Sequence, residues 1–286
     1  MAGLVRTLEA LVELTRAEHG LMVALAVAVG AFSSRSGFRT PHLLLAALAG
    51  FLVEAGAFAL NDYFNVEEDS INKPHRPIVR GDIPREVAAL IGLLALASAA
   101  GLGAYLAASG LSEASLLLLL TIALCLAYDV GAKRLFVVGH LLVALLTALP
   151  FVYGSYVARG PSPLTFSFFS IALLSALGRE LIKGAQDVEG DRRAGVRSVA
   201  VVCGPRRAVE AACILSAASV ALSPLPLLYS RLKLAYLAAI LPADCLIAYA
   251  ALAALKGVGR GELERAREVS LAGMGVGIVA FLLASL

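Results

Sequence analysis

Tryptophan is absent from this 286-residue chain, methionine occurs three times, and only 16% of the residues are charged. Water-soluble globular domains carry about 25% charged residues, so an ordinary soluble domain is excluded at the outset. Cysteine is scarce as well: Cys125, Cys203, Cys213 and Cys245 lie far apart and follow no Cys-x-x-Cys spacing. They read as small packing residues, which sets aside a zinc site or a disulfide framework. The chain also lacks a block of like charge. Its net charge of +3 is spread over short loops, which removes nucleic acid as a partner. What is abundant is apolar: 59% of the residues are hydrophobic and 26 are glycine, a balance suited to helices that approach closely in lipid.

Apolar stretches long enough to cross a ~30 Å hydrocarbon core fall near residues 20–34, 41–61, 86–108, 111–128, 136–157, 164–183, 206–229, 232–254 and 269–286. The expected fold is therefore an all-α integral membrane protein of about nine transmembrane helices, forming a single domain over residues 1–286. Residues 1–18 alternate charge with aliphatic side chains and lack the pattern of a cleaved leader. They are expected to form an amphipathic helix on the membrane surface. Eighteen of the 24 Lys and Arg residues fall on one side of this arrangement and five on the other, with Arg179 inside a span. The positive-inside rule makes the rich side, with the N-terminus, cytoplasmic, and the expected location is the cell membrane.

The second and sixth spans are followed by similar segments. Asp69 precedes Arg76, Gly81 and Pro84 by 7, 12 and 15 residues, and Asp191 precedes Arg197, Gly204 and Pro205 by 6, 13 and 14. Such matching predicts two pseudo-repeats around a central cavity, with the cytoplasmic loops 61–85 and 183–206 facing each other. On a continuing helix Asp62, Asn65 and Asp69 share one face, and Asp187 and Asp191 share another with Lys183 one turn earlier. Charged loops at helix ends usually serve topology alone, but two matching acidic clusters at a membrane edge point to function. Hard oxygen donors without His or Cys partners suit Mg²⁺, which takes one or two carboxylates together with phosphate oxygens of a substrate. A diphosphate completes such a site, and the nearby Lys73, Arg76, Lys133, Arg134, Arg192 and Arg197 supply positive charge for it.

These residues resemble the UbiA-type intramembrane prenyltransferases, whose patterns are Asn-Asp-x-x-Asp-x-x-x-Asp after the second helix and Asp-x-x-x-Asp after the sixth. The likeness covers nearly the whole chain. Asn61, Asp62, Asn65 and Asp69 match the first pattern with Asn in place of one Asp, and Asp187 and Asp191 match the second. Gly184 stands where many relatives carry a further acid, and Gly139 and His140 stand where the family's usual Gly-Asn falls. Tyr128, Lys133 and Arg134 are similar to the family's loop after the fourth helix. Within the family, the segment Ile-Asn-Lys-Pro-His-Arg-Pro-Ile at 71–78 is similar to that of the archaeal digeranylgeranylglyceryl phosphate synthases and, less so, to that of the chlorophyll synthases.

The resemblance implies Mg²⁺ as cofactor, held by Asp62, Asn65, Asp69, Asp187 and Asp191. It implies geranylgeranyl diphosphate as donor, and the free hydroxyl of geranylgeranylglyceryl phosphate as acceptor, in archaeal membrane lipid synthesis. Catalytic roles then fall to Asp62, Asp69, Asp187, Asp191, Lys183 and Tyr128, and substrate contacts to Asn61 and the basic residues named above. Glu54, two turns before Asn61, either faces the cavity or pairs with a cation. Two other readings compete. One keeps the chemistry but alkylates an aromatic ring such as 4-hydroxybenzoate, or a chlorin acid. The other is a secondary transporter with acidic ion sites between its repeats, which calls for acids near the bilayer midplane rather than at helix ends.

Overall fold

Lipid cannot hydrogen-bond a bare backbone, so long apolar segments satisfy their polar groups internally as helices. The computed structural model describes the backbone of residues 2–286 and the side chains from residue 6 onward; Met1, the start of the expected amphipathic helix, lies outside the described residues. Among the described residues there are no strands. The helices are α1 (Ala2–Thr15), α2 (Ala17–Ser33), α3 (Thr40–Phe64), α4 (Val66–Asn72), α5 (Pro77–Arg80), α6 (Arg85–Ala108) and α7 (Ser112–Val130). They continue with α8 (Val138–Val157), α9 (Pro163–Gln186), α10 (Val188–Arg193), α11 (Val199–Cys203), α12 (Pro205–Leu222), α13 (Lys233–Lys256) and α14 (Arg260–Ser285).

Eight of these are long and apolar enough to cross a membrane, and α1 with α2, bent by 47° at Arg16, makes a ninth if the pair is one span. The last helix starts at Arg260 rather than near 269, because its polar first turns extend beyond the apolar stretch. Each long helix packs on the next, and α14 returns to α2, which closes a ring. Connecting turns alternate between the two ends. One end collects the last turns of α3, α7, α9 and α13, together with the short helices α4, α5, α10 and α11.

Two buried clusters divide the ring. Val27 and Ala31 of α2 join α3, α6, α7 and Tyr153 of α8 in one; Ala26 and Val29 of α2 join Phe151 of α8, α9, α13 and α14 in the other. The α2–α8 crossing is thus the seam between the repeats. A Cβ on Gly30 would lie 2.0 Å from the Phe151 carbonyl oxygen, and one on Gly154 would lie 1.9 Å from that of Val27. The contact is reciprocal, as a pseudo-two-fold requires, and only glycine permits it.

At the acidic end, α1 is held by Arg6 to Asp82 at 2.6 Å and through Glu13 to Arg80 at 2.8 Å. Its Ala10 and Leu14 pack on Ala59, Ile83 and Ala88, while Leu8 and Val12 on its other face are exposed.

Gly30→Leu is expected to destabilise the protein by about 3 kcal/mol or more, since the crossing cannot absorb a side chain. Gly101→Leu, at a position with open space around it, is expected to leave stability unchanged. Thermal unfolding of both variants in detergent checks the pair; equal melting temperatures would refute the seam.

Candidate active site

Helix α3 stops at Phe64, and Asn65, at φ −106° and ψ 15°, separates it from α4. Asp187 makes the matching break between α9 and α10, at φ −89° and ψ 4°. Backbone bonds continue across both breaks, from the Asn65 N–H to the Asn61 carbonyl and from the Asp187 N–H to the Lys183 carbonyl, so each is a kink rather than a loop. Aligning the kinks sets Asp69 against Asp191 and Asp62 against Gly184. The short helices α4 and α10 then pack together. A Cβ on Gly190 would strike the Asn72 side chain at 2.1 Å, and the Asn72 amide donates to the Asp187 carbonyl at 3.4 Å.

The kink corrects the expectation that Asp62, Asn65 and Asp69 line one helical face. Asp62, 1% exposed, turns away to accept from Arg16 Nη2 at 2.7 Å, with Arg76 Nη1 at 3.7 Å on its other oxygen. Arg16 occupies the left-handed break between α1 and α2, at φ 45° and ψ 57°, and its guanidinium lies 3.8 Å from the centre of the Phe58 ring. A non-glycine residue in this conformation costs about 1–3 kcal/mol, which the buried ion pair helps to offset. Nearby, Asn61 donates to Asp129 at 2.7 Å.

Asp69 and Asp187 do face each other. Lys73 Nζ sits between them, 3.5 Å from Asp69 and 3.4 Å from Asp187, so one cation spans the two clusters. Lys133 donates to the side-chain oxygen of Asn65 and lies 3.0 Å from Glu68. Lys183 turns to Glu180 at 3.2 Å instead of the aspartates. Burial pushes the Asp191 carboxyl up to about 6, against the opposing hydrogen bond from Ser198. The tight turn before α8, with Val137 at φ 63°, sets Lys133 beneath Gly139.

These groups line a polar cavity of about 680 Å³ that includes Asn61, Asn65, Asp69, Tyr128, Lys133, Lys183, Asp187 and Asp191. Arg76 reaches the site only through Asp62. Arg134, Arg192 and Arg197 are exposed and do not line the cavity; Arg134 and Arg197 meet through a backbone hydrogen bond of 3.3 Å.

Among the described residues no three His, Cys, Asp or Glu side chains converge on one point, so the five-donor metal site expected from the sequence is not preassembled. The donor set still fits Mg²⁺. Five acids and three lysines line the cavity, an excess of two negative charges, which one divalent cation would balance. Mg²⁺ also keeps waters and takes few protein carboxylates, so facing donors suffice.

A second, apolar cavity of about 950 Å³ runs between α2, α9, α13 and α14. Glu180 lines both cavities and joins them. Glu54 lines the apolar one, and among the described residues it makes no ion pair. Sequence reading assigned no partner to Arg16, Asp129 or Glu68, because pairings across 46 to 68 residues leave no local signature.

Residues 21–282 match the UbiA prenyltransferase family. The chain is 35% identical to the digeranylgeranylglyceryl phosphate synthase of Archaeoglobus fulgidus, over 98% of this chain and 97% of that protein. A solved structure concerning digeranylgeranylglyceryl phosphate synthase in membranes superposes with a TM-score of 0.72 at 26% identity, covering 98% of both chains. A UbiA homologue from Archaeoglobus fulgidus, bound to GPP and Mg²⁺, superposes with a TM-score of 0.66 at 21% identity, covering 95% of this chain and 99% of that one, and supports the fold alone. The ring of helices and these matches agree: the chain belongs to the UbiA prenyltransferase family and is a multi-pass membrane prenyltransferase.

Proposed function

We propose that this protein transfers a geranylgeranyl group from geranylgeranyl diphosphate to the free hydroxyl of geranylgeranylglyceryl phosphate, a step of archaeal membrane lipid synthesis. The observation that carries the reading is the junction of two cavities: a polar one where Lys73 bridges Asp69 and Asp187, and an apolar one joined to it at Glu180. A diphosphate with a long hydrocarbon tail needs both. The glycerol phosphate acceptor is supported by the relatives that carry this activity in their names and match nearly the full chain.

In this reading Asp69, Asp187 and Asp191, with Asn65, hold Mg²⁺, which when bound neutralises diphosphate oxygens and stabilises the leaving pyrophosphate. Lys73, Lys133 and Lys183 bind the remaining phosphate oxygens. The C1–O bond of the donor breaks with its electron pair leaving on pyrophosphate, and the acceptor hydroxyl oxygen forms the new bond to C1. Glu54 takes the hydroxyl proton. Tyr128, on the cavity wall, offers its ring to the developing allylic cation, and the apolar walls exclude the water that would quench it. Arg16 and Arg76 position Asp62, and through α3 the start of the metal-binding segment. The basic end of the bundle faces the cytoplasm, where the positive-inside rule puts it.

The acids of the two motifs favour the enzyme over a transporter, because they gather at the helix ends and not near the midplane.

Purified protein in detergent, given Mg²⁺ and labelled geranylgeranyl diphosphate, is expected to form diether from geranylgeranylglyceryl phosphate and nothing from 4-hydroxybenzoate or a chlorin acid. Product from an aromatic acid alone would replace the acceptor. Asp187→Asn is expected to lower turnover by at least about a hundredfold with an unchanged melting temperature. Asp62→Ala should lower turnover and also stability, by about 3 kcal/mol, because Arg16 is left buried and unpaired. Equal melting temperatures for the two variants would contradict the role given to Asp62. Glu54→Gln should slow turnover about a hundredfold or more while donor binding holds; an unaltered rate removes it as the base.

A further inference from the structure

Of the charged groups lining the apolar cavity or adjoining it, two guanidiniums are left without adequate partners. Arg179 of α9 lines the cavity and reaches Glu180 at 3.4 Å, but Glu180 also holds Lys183 at 3.2 Å, and the Arg179 Nε is buried with no hydrogen-bond partner. Arg267 of α14 has a buried Nε with no partner and, among the described residues, no ion pair. The two lie on the same wall. Ala266 packs in one cluster with Leu181 and Ile182, and Leu271, one turn beyond Arg267, lines the cavity with Arg179. Helices α9 and α14 pack on each other here, and the Arg267 charge opposes that of Arg179. The other titratable groups lining this cavity are His19, Glu54 and Asp244, the last held by the Ser223 hydroxyl, and the nearby Arg16 is committed to Asp62.

Two neighbouring guanidiniums, one sharing Glu180 with Lys183 and the other without an ion pair among the described residues, are costly beside an apolar cavity unless an anion joins them. We propose that Arg179 and Arg267 form a phosphate subsite for the acceptor lipid, separate from the lysine-lined diphosphate cavity. The inference rests on the glycerol phosphate reading above and adds the residues that select for it. Guanidinium forks match the oxygens of a phosphate monoester, and the acceptor's lipid chain shares the apolar cavity with the donor tail. Glu180, shared by both cavities, then separates the acceptor phosphate from the donor diphosphate, which leaves the acceptor hydroxyl between them.

The test compares Arg267→Gln and Arg267→Lys with the unaltered protein. For Arg267→Gln the KM for geranylgeranylglyceryl phosphate is expected to rise about ten- to a hundredfold, the range of a lost charge-assisted bond, while the KM for geranylgeranyl diphosphate stays within about twofold. Arg267→Lys should recover part of the loss. Binding is measured separately, without donor or Mg²⁺, using a saturated dialkylglycerol phosphate and its dephosphorylated alcohol. The unaltered protein should prefer the phosphorylated form by about tenfold or more, and Arg267→Gln should lose that preference. A preference that survives in Arg267→Gln, or a donor KM that rises in step with the acceptor KM, would overturn the subsite. If the unaltered protein makes no diether, the acceptor reading fails by itself, and the binding comparison still decides whether these arginines hold a lipid phosphate.

Discussion

Carboxylates at the end of an apolar helix bundle must be compensated, and the architecture of the acidic end follows from how this is done. Three acids of this end are matched to cations from other parts of the chain: Asp62 to Arg16 and Arg76, Asp187 to Lys73, and Glu68 to Lys133. The pairings fix where α1 lies, why α2 begins with a bend, and how the turn before α8 closes over the site. Breaking one would leave a buried charge uncompensated, at a cost of several kcal/mol. The Lys73 ammonium is the exception, because in the proposed function a diphosphate and a divalent ion take over its role between Asp69 and Asp187.

The pseudo-two-fold gives the site its two walls, but the walls are not equivalent. Asp69 and Asp191 correspond across the repeat, whereas Asn65 corresponds to Asp187 and Asp62 to Gly184. One wall therefore carries its charge one turn earlier and uses it to anchor the N-terminal bend. The other keeps its charge at the kink, facing the cavity. An asymmetric substrate suits such a site: a diphosphate must be held at one end while its C1 atom is presented at the other.

The long helices were legible because an apolar run of about 20 residues in lipid has only one backbone solution, and the acidic motifs because nothing else explains paired carboxylates at such ends. The kinks were not. Asn65 and Asp187 are weak breakers with no proline or glycine beside them, and a helix carried through would have aligned Asp62 with Asp69. The exposed Arg134, Arg192 and Arg197 looked like phosphate ligands because proximity in sequence to an acidic motif does not reveal which way a side chain turns. Arg16 and Asp129 lay in apolar or unremarkable surroundings and gained meaning only from partners on other helices.

Two departures from the family pattern noted in the sequence turn out to be one physical event. A side chain at Gly184 would put its Cβ 2.8 Å from Cε1 of His140, so the imidazole occupies the space that a further acid would need. The ring also accepts a long hydrogen bond from the Val199 N–H at 3.4 Å, which ties α8 to the segment after α10. Exchanging an acid for a ring removes one negative charge from a cavity that has already lost one at Asn65. At a separation of 4 Å and an effective dielectric constant of about 20, each such charge is worth about 4 kcal/mol toward a neighbouring cation. In the proposed function, recruitment of a divalent ion would then depend more on the diphosphate it accompanies than on the protein alone, which agrees with carboxylates that face each other without converging.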